Sequence, residues 1–508
     1  MIGDLVELVT RAAERWPGKT AWIFDSTGER FTFAGIDARS SQFAVSLREL
    51  GVEPGDRVAV MLRNQPEFPL VWLALAKLGA MLVPVNTGYR EFDGAHVLSH
   101  SGARFAVAAE EFLELLRKIA PETRLERVLT VGELTESPRE TTETFSADAE
   151  RPVNIQYTSG TTGAPKGCVL PNRYWTTLAI GLATDFPSIG DTDILLTAQP
   201  FHYIDPQWNV ALGLASGAKL VMLDRFHPST FWAKVREHEV TWFYCLGLMP
   251  ALLLRLPDSP EDKQHKVRAI CASAIPRDLH AELEARWGVP WFEAFGMTET
   301  GGDIRMSEED HDALVGTGCL GRPSRDREVM IADAQGKPLP RGETGELLIR
   351  GIGLMHGYHN DPGATAKAFT GGWFHTGDLA NMDAEGRVYY VGRTKDMIRR
   401  SGENVSADEV ERVLMLHPDI RFAAVIAVPD NLRGEEIKAY VVLGDENSPP
   451  EELAEFCARK LAYFKVPRYW AVVDSLPMTP SERVAKGELR KAADLLAETY
   501  DRTVSRWL

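Results

Sequence analysis

The chain alternates short apolar or β-branched runs with segments whose apolar residues recur at helical spacing. Strands are predicted over 57–62, 81–85, 154–157, 194–197, 219–223, 241–245, 267–271 and 289–295, with helices over 173–185, 228–238 and 278–287 between many of them. This is the rhythm of a large α/β protein. After about residue 316 the texture turns to strands, at 328–331, 345–350 and 387–391, separated by Gly-rich or Asp-Gly-type turns. From 392 it changes again, to a helix at 407–416, strands at 423–428 and 437–443, a helix at 451–461 and a polar tail. Ser406 followed by Glu409 matches a capping box, a mechanism for starting a helix at 407. The expected fold class is α/β: a large N-terminal body of α/β subdomains over 1–392, including a β-rich subdomain at about 316–392, and a small α+β C-terminal domain over 393–508.

The N-terminal segment carries Asp4, Glu7, Arg11 and Glu14 among its apolar residues, so it reads as an amphipathic surface helix and not as a signal peptide. The most apolar stretch, 68–85, is broken by Pro69, Lys77, Gly79 and Pro84, the pattern of a buried helix running into a buried strand and not of a membrane span. With 508 residues, 44% hydrophobic and 25% charged, the chain can bury a large core unaided. A formal net charge of -16 argues against nucleic-acid binding. Five scattered cysteines (Cys168, Cys245, Cys271, Cys319, Cys457) form no CxxC or Cys/His cluster and read as reduced thiols of a cytoplasmic protein.

The segment Thr158-Ser-Gly-Thr-Thr-Gly-Ala-Pro-Lys-Gly167 follows a predicted strand. Gly160 and Gly163 let the backbone approach a ligand closely, the hydroxyls of Thr158, Ser159, Thr161 and Thr162 offer donors to phosphate oxygens, and Lys166 supplies charge. It is a phosphate loop, but not a Walker A loop, because Lys166 stands between Pro165 and Gly167 with no following Ser or Thr.

Three further segments accompany it in order: Phe295-Gly-Met-Thr-Glu-Thr300, Trp373-Phe-His-Thr-Gly-Asp378 and Gly392-Arg-Thr-Lys-Asp-Met-Ile-Arg-Arg-Ser-Gly-Glu-Asn-Val405. Together the four resemble the adenylate-forming superfamily of acyl-CoA synthetases, luciferases and peptide-synthetase adenylation domains, over nearly the whole chain. The resemblance implies a mobile C-terminal domain with its hinge at Lys395, and ATP (or acyl-AMP), Mg²⁺ and coenzyme A as cofactors and substrates. It implies that Thr298 donates to the α-phosphate, that Glu299 holds Mg²⁺, that Phe295 stacks on adenine beside Gly296 and Ala274, and that Asp378 accepts from the ribose with Arg393 assisting. Gly402 would pass the pantetheine arm, and Arg399 and Arg400 are candidates for CoA phosphates or else a solvated basic pair. Phe201-His202 matches the gate at the acyl pocket, where His202 is a candidate catalytic residue and Trp175, Asp205, Trp208 and Met249 are candidate lining or core. The segments His202-Tyr-Ile-Asp-Pro-Gln207, Arg433-Gly-Glu-Glu-Ile-Lys-Ala439 and Phe464-Lys-Val-Pro467 look most like the carnitine/crotonobetaine-CoA ligase branch.

The C-terminal signature departs from the superfamily's pattern, since Glu482 and Arg483 stand where a Gly-Lys pair is expected. The superfamily's Lys bridges carboxylate and α-phosphate during adenylation; Arg keeps the charge but presents a planar fork. Losing one such electrostatic contact costs on the order of a hundred- to a thousand-fold in rate. Three readings follow: Arg483 suffices, Lys486 takes over from about 10 Å along an extended segment, or the enzyme only makes thioesters from a supplied acyl-adenylate. The function expected is an acyl-CoA ligase that activates a carboxylic acid as acyl-AMP and transfers it to CoA. The thioester-only enzyme, an adenylation enzyme loading a carrier protein, and a non-catalytic acyl-adenylate binder stand as alternatives, with a homodimer, a carrier protein or a separate adenylating enzyme left open as partners.

Overall fold

Helix Leu5–Arg15 starts where Asp4 accepts the amides of Val6 and Glu7, and it buries Leu5, Val6, Leu8, Val9 and Ala12 while keeping its charges outside. The computed structural model that shows this describes residues 3–135, 146–158, 165–247, 249–400, 403–430, 433–444, 448–479 and 483–508, with backbone alone at 399, 403 and 404. The apolar stretch at 68–85 is helix Glu67–Leu78, closed by Gly79 at φ +73°, followed by strand Met81–Pro84. Lys77, which interrupts that stretch, is 4% exposed; its ammonium donates to Asp37 Oδ1 at 2.6 Å, Asp37 O at 2.9 Å and the hydroxyls of Ser40 and Ser41. Among the described residues no helix is long and apolar enough to cross a membrane. The five cysteines are all buried and free.

The chain divides into two compact units, the first holding the described residues to Thr158 with Pro165–Val329 and Ile349–Trp373, the second holding Met330–Leu348 and Phe374–Leu508. The first unit contains two sheets. One runs Cys319–Pro323, Gly301–Arg305, Trp291–Met297, Ala269–Ala272, Trp242–Cys245, Ile194–Thr197, Lys219–Met222, Thr20–Phe24 and Arg30–Thr32, and its centre, from Trp291–Met297 to Thr20–Phe24, is parallel. Helices Asn172–Thr184, Pro228–Glu237 and Arg277–Trp287 match the expected positions within two residues. Trp232 and Trp287 stack at 5.0 Å inside the core that this sheet shares with its helices. The other sheet runs Gly357–Tyr358, Gly167–Pro171, Pro152–Tyr157, Met81–Pro84, Arg57–Met61, Phe105–Ala108 and Arg127–Thr130.

In the second unit, strands Trp373–Met382 and Val388–Arg393 form an antiparallel hairpin that sets Asp378 opposite Arg393. A further sheet places Gly434–Leu443 between Ile420–Asp430 and Tyr469–Val472 and packs helices Ala407–Met415 and Pro450–Ala458 on its core. The α/β expectation therefore holds for the chain. The capping box does not form: Ser406 ends strand Glu403–Ser406 opposite Met397, and its side chain makes no cap bond to the helix that follows. Its hydroxyl lies where a Cβ on Gly392 would come within 2.5 Å, and the Glu409 carboxylate is taken by Lys465 at 2.7 Å.

Candidate active site

In the first unit the candidate phosphate loop connects two antiparallel strands, Pro152–Tyr157 and Gly167–Pro171. Thr158 N–H donates to Lys166 O at 2.9 Å and closes the loop's base. Gly167 is required there, because a Cβ would come within 2.6 Å of Ile155. Ser159, Gly160, Thr161, Thr162 and Gly163 lie outside the described residues. Lys166 is exposed, and its ammonium sits 4.7 Å from the centre of the Tyr358 ring.

Thr298, Glu299 and Thr300 form the turn between strands Trp291–Met297 and Gly301–Arg305. The strands close so tightly that a Cβ on Gly296 would lie 1.9 Å from Gly301 O. Beneath the turn Arg327 donates to Asp303 Oδ1 at 2.7 Å and to Thr300 O at 2.5 Å, and Asp303 also accepts the Thr300 hydroxyl. Burial raises the Asp303 pKa, with Arg327 and Thr300 opposing it only in part. Thr298 is half-buried, whereas Glu299 is 9% exposed and accepts the Tyr358 hydroxyl at 2.9 Å. Tyr358 thus touches both the loop cation and the candidate metal carboxylate. Nothing local in the sequence marks it; it arrives because strand Gly357–Tyr358 pairs with the far edge of the loop's second strand, Tyr358 opposite Cys168.

Phe295 is half-buried and Gly296 exposed. Ala274 holds φ +65°, and its amide donates to Glu293 Oε1 at 3.1 Å, while Ser273 donates to Ala294 O at 2.9 Å. These bonds pin the turn after strand Ala269–Ala272 beside Phe295. Phe201 is core, stacked on Phe68 at 5.1 Å. His202 is 7% exposed, and burial depresses its pKa to about 3, so it stays neutral. Under it Gln156 donates to His202 O at 2.6 Å and Asn154 to Gln207 at 2.7 Å. Trp175 is core, edge-on to Trp72 at 5.0 Å.

In the second unit, the buried Asp378 carboxylate is met by Arg393 Nε at 3.0 Å, and its amide donates to the Thr376 hydroxyl at 3.0 Å. Burial opposes the Arg393 charge, but Asp378, Tyr390 and Asp408 raise its pKa above the ordinary value. Lys395 lies exposed in the short turn Thr394–Asp396. One expectation needs correction. Arg400 is buried in an ion pair with Glu436, which also holds Arg433 at 3.0 Å, so its charge is neutralised internally and it is not part of a solvated pair. Lys486 is enclosed by Glu411 at 2.8 Å, Asp408 at 3.3 Å and Asp396 at 3.6 Å. Burial alone would lower its pKa, yet the three carboxylates raise it, so Lys486 keeps its charge within this cluster. Arg483 is exposed. Gly402 lies outside the described residues, as does the Arg399 side chain.

A family model described as AMP-binding enzyme matches residues 9–359, and one described as AMP-binding enzyme C-terminal domain matches 409–483. The chain is 33% identical to a crotonobetaine/carnitine–CoA ligase of Citrobacter koseri, covering 94% of this chain and 97% of that one. Among solved structures it is similar to the o-succinylbenzoate CoA synthetase of Bacillus subtilis in complex with its acyl-adenylate intermediate, with TM-score 0.87 at 29% identity over 96% of this chain and 98% of that one. The same synthetase in complex with ATP and magnesium ion matches with TM-score 0.86 at 29% identity, over 95% and 99% of the two chains.

Proposed function

Because the chain belongs to the AMP-binding enzyme family, we propose that it is an AMP-forming acid:CoA ligase. A substrate carboxylate attacks the α-phosphorus of ATP and expels pyrophosphate; the CoA thiol then attacks the acyl-adenylate carbonyl and releases AMP. The CoA ligases and acyl-adenylate complex to which the chain is similar favour this reading over the thioester-only, carrier-loading and non-catalytic alternatives.

The observation that carries it in this chain is the contact of Tyr358 with both Lys166 and Glu299. It couples a mobile-armed cation suited to phosphate oxygens to a hard carboxylate donor. Glu299 would hold Mg²⁺, which when bound neutralises phosphate charge; a single carboxylate plus substrate phosphates is an ordinary donor set for that ion. Lys166 and the Thr158 loop would position the leaving phosphates, Thr298 the α-phosphate, and Phe295 with Ala274 the adenine. Asp378 would accept from the ribose hydroxyls, its orientation held by Arg393. Catalysis of this kind is mostly positioning and charge neutralisation. Lys395 is the proposed hinge between the two half-reactions, and Arg483 the cation of the first.

The test is to measure the half-reactions separately over a carboxylate panel. Acid-dependent ATP–pyrophosphate exchange and CoA-dependent thioester formation are both expected with the correct acid. Thioester formation from synthetic acyl-adenylate with no exchange for any acid would leave only the second half of the proposal standing.

A further inference from the structure

Glu299 belongs to a turn whose last residue, Thr300, is held by two partners beneath it. Arg327 Nη2 donates to Thr300 O at 2.5 Å, and the Thr300 hydroxyl donates to Asp303 Oδ2. Arg327 Nε donates to Asp303 Oδ1 at 2.7 Å, and Nη1 donates to Asp326 O at 3.1 Å and to Ile352 O. One guanidinium thus joins the turn, the residue before its own, and the segment 352–358. That segment returns to Glu299 twice more: Met355 N–H donates to Glu299 O at 2.9 Å, and the Tyr358 hydroxyl donates to Glu299 Oε1 at 2.9 Å. Tyr358 also carries the ring against which Lys166 rests. The backbone leaves room for the fork, since a Cβ on Gly351 would lie 2.1 Å from Asp326 O and 3.2 Å from Arg327 Nη1.

Asp303 is 0% exposed and Arg327 7%. Taking two charges out of water is expensive, and well-packed apolar side chains of similar volume commonly stabilise a core as well or better. Core stability therefore does not call for an ion pair at this place. What a planar fork supplies is direction: its N–H groups leave at fixed angles, so the carbonyls that accept from them are held in one arrangement. The acceptors here are Asp303 Oδ1 and the carbonyls of Thr300, Asp326 and Ile352. A lysine ammonium, with three donors on a flexible stem, cannot serve all of them. Groups that orient a metal's ligand without touching the ion commonly matter about ten- to a hundred-fold in metal affinity or activity.

We propose that Asp303 and Arg327 are positioning residues for the metal carboxylate: they fix Glu299 and, through the segment 352–358, its spacing from Lys166, so that Mg²⁺ and the leaving phosphates are met together. Both act through Glu299 and not on the nucleotide. The role rests on the ligase reading above and adds the support on which its metal site stands.

The test compares Arg327→Lys and the isosteric Asp303→Asn with the unaltered full-length enzyme by calorimetric binding of Mg·ATP, of ATP in EDTA and of AMP, with ATP–pyrophosphate exchange alongside. In the unaltered enzyme Mg²⁺ should strengthen ATP binding. Arg327→Lys should bind Mg·ATP about tenfold or more weaker while metal-free ATP and AMP stay within about twofold of the parent, and the Mg²⁺ concentration for half-maximal exchange should rise. Asp303→Asn keeps an acceptor for Arg327 Nε but sets an amide N–H₂ where the Thr300 hydroxyl donated, so the same selective loss is expected at about threefold or more. AMP binding needs the adenine and ribose groups but not Glu299, so it reports an intact fold. Equal losses for Mg·ATP, metal-free ATP and AMP, unchanged Mg·ATP binding in a folded variant, or a parent enzyme whose ATP affinity ignores Mg²⁺ overturns the positioning role. Failure of both variants to fold overturns it too, since the pair would then be a structural tie. No exchange by the unaltered enzyme with any acid, beside Mg²⁺-selective ATP binding that the variants lose, would overturn the ligase reading and leave the positioning role standing.

Discussion

Two imidazole nitrogens, a carboxylate oxygen and a backbone carbonyl converge at His280, Glu284, His311 and Trp291, and the set has the composition of a metal site. The hydrogen atoms decide otherwise. Gly316 N–H donates to His280 Nδ1 at 3.2 Å, so His280 Nε2 carries the proton that it gives to Trp291 O at 2.8 Å, and no lone pair is left to face a metal. His311 is instead an imidazolium paired with Glu284 at 2.8 Å. Burial lowers its pKa, but Glu284 and Asp312 more than restore it; burial raises that of Glu284, but His280, His311 and the Trp291 amide bring it down to about 2. The His311 contribution is complete below about pH 6.5 and is lost as pH rises through its folded value; the Glu284 contribution is complete above about pH 4.5 and is lost as pH falls toward 2. His311→Gln should therefore cost about 1 to 3 kcal/mol between those limits, with the gap to the parent narrowing on the alkaline side. Urea denaturation at pH 5.5 and 8.5 measures it, and a gap that widens with pH would contradict the pairing. Tyr358 tests the active site at the same scale. Tyr358→Phe keeps the ring under Lys166 and removes the hydroxyl from Glu299, so ATP–pyrophosphate exchange should fall by about tenfold or more while the thermal midpoint moves little.

Elements rather than residues explain why some of this was legible and some was not. Strand 194–197 and the helices at 173–185, 228–238 and 278–287 announce themselves by period, and the structure shifts their ends by two residues or fewer. Asp378 and Arg393 stand in separate motifs, yet a hairpin turning at Asp383–Gly386 puts them opposite each other. Tyr358, Asp303 and Arg327 carry no local signal, because each is brought to its partner by pairing or packing across long separations. Ser406 fails as a cap for a similar reason: strand pairing governs the residue before helix propensity can act on it. The carboxylates around Lys486 are equally silent in the sequence, because they come from the Thr394–Asp396 turn and helix Ala407–Met415, far from it along the chain. That cage makes its own prediction. Burial raises Glu411 to about 7, so its charged form already opposes folding as pH rises from about 4.5 through 7. Lys486→Met removes the compensating cation, and breaking such a buried cluster should cost about 3 to 5 kcal/mol at pH 8 and less at pH 5. A variant of unchanged stability that loses only adenylation would instead make Lys486 catalytic.

For the whole molecule the electrostatic problem is that a chain with formal net charge -16 must take up two polyanions, ATP and CoA. Long-range attraction is unavailable, so recognition has to rest on a few local cations. Of the candidates, Arg393 is paired with Asp378, Arg400 with Glu436, and Lys486 with three carboxylates. Lys166, Lys395 and Arg483 stand at exposed positions. Arg483 stands where the family resemblance places the adenylation lysine, and negative charge accumulates on the α-phosphate only in the first half-reaction. Removing it should therefore divide the two steps. Arg483→Ala is expected to slow acyl-adenylate formation by about a hundred- to a thousand-fold, while CoA thioester formation from supplied acyl-adenylate stays within about threefold. Arg483→Lys keeps the charge and loses the planar fork, so its adenylation rate should fall between the two. Rapid-quench measurement of each half-reaction resolves the split. Equal losses in both steps would mean that Arg483 acts on a structure shared by the two reactions; no loss in either would mean that adenylation here proceeds without a signature cation, with Lys166 and Mg²⁺ carrying the phosphate charge.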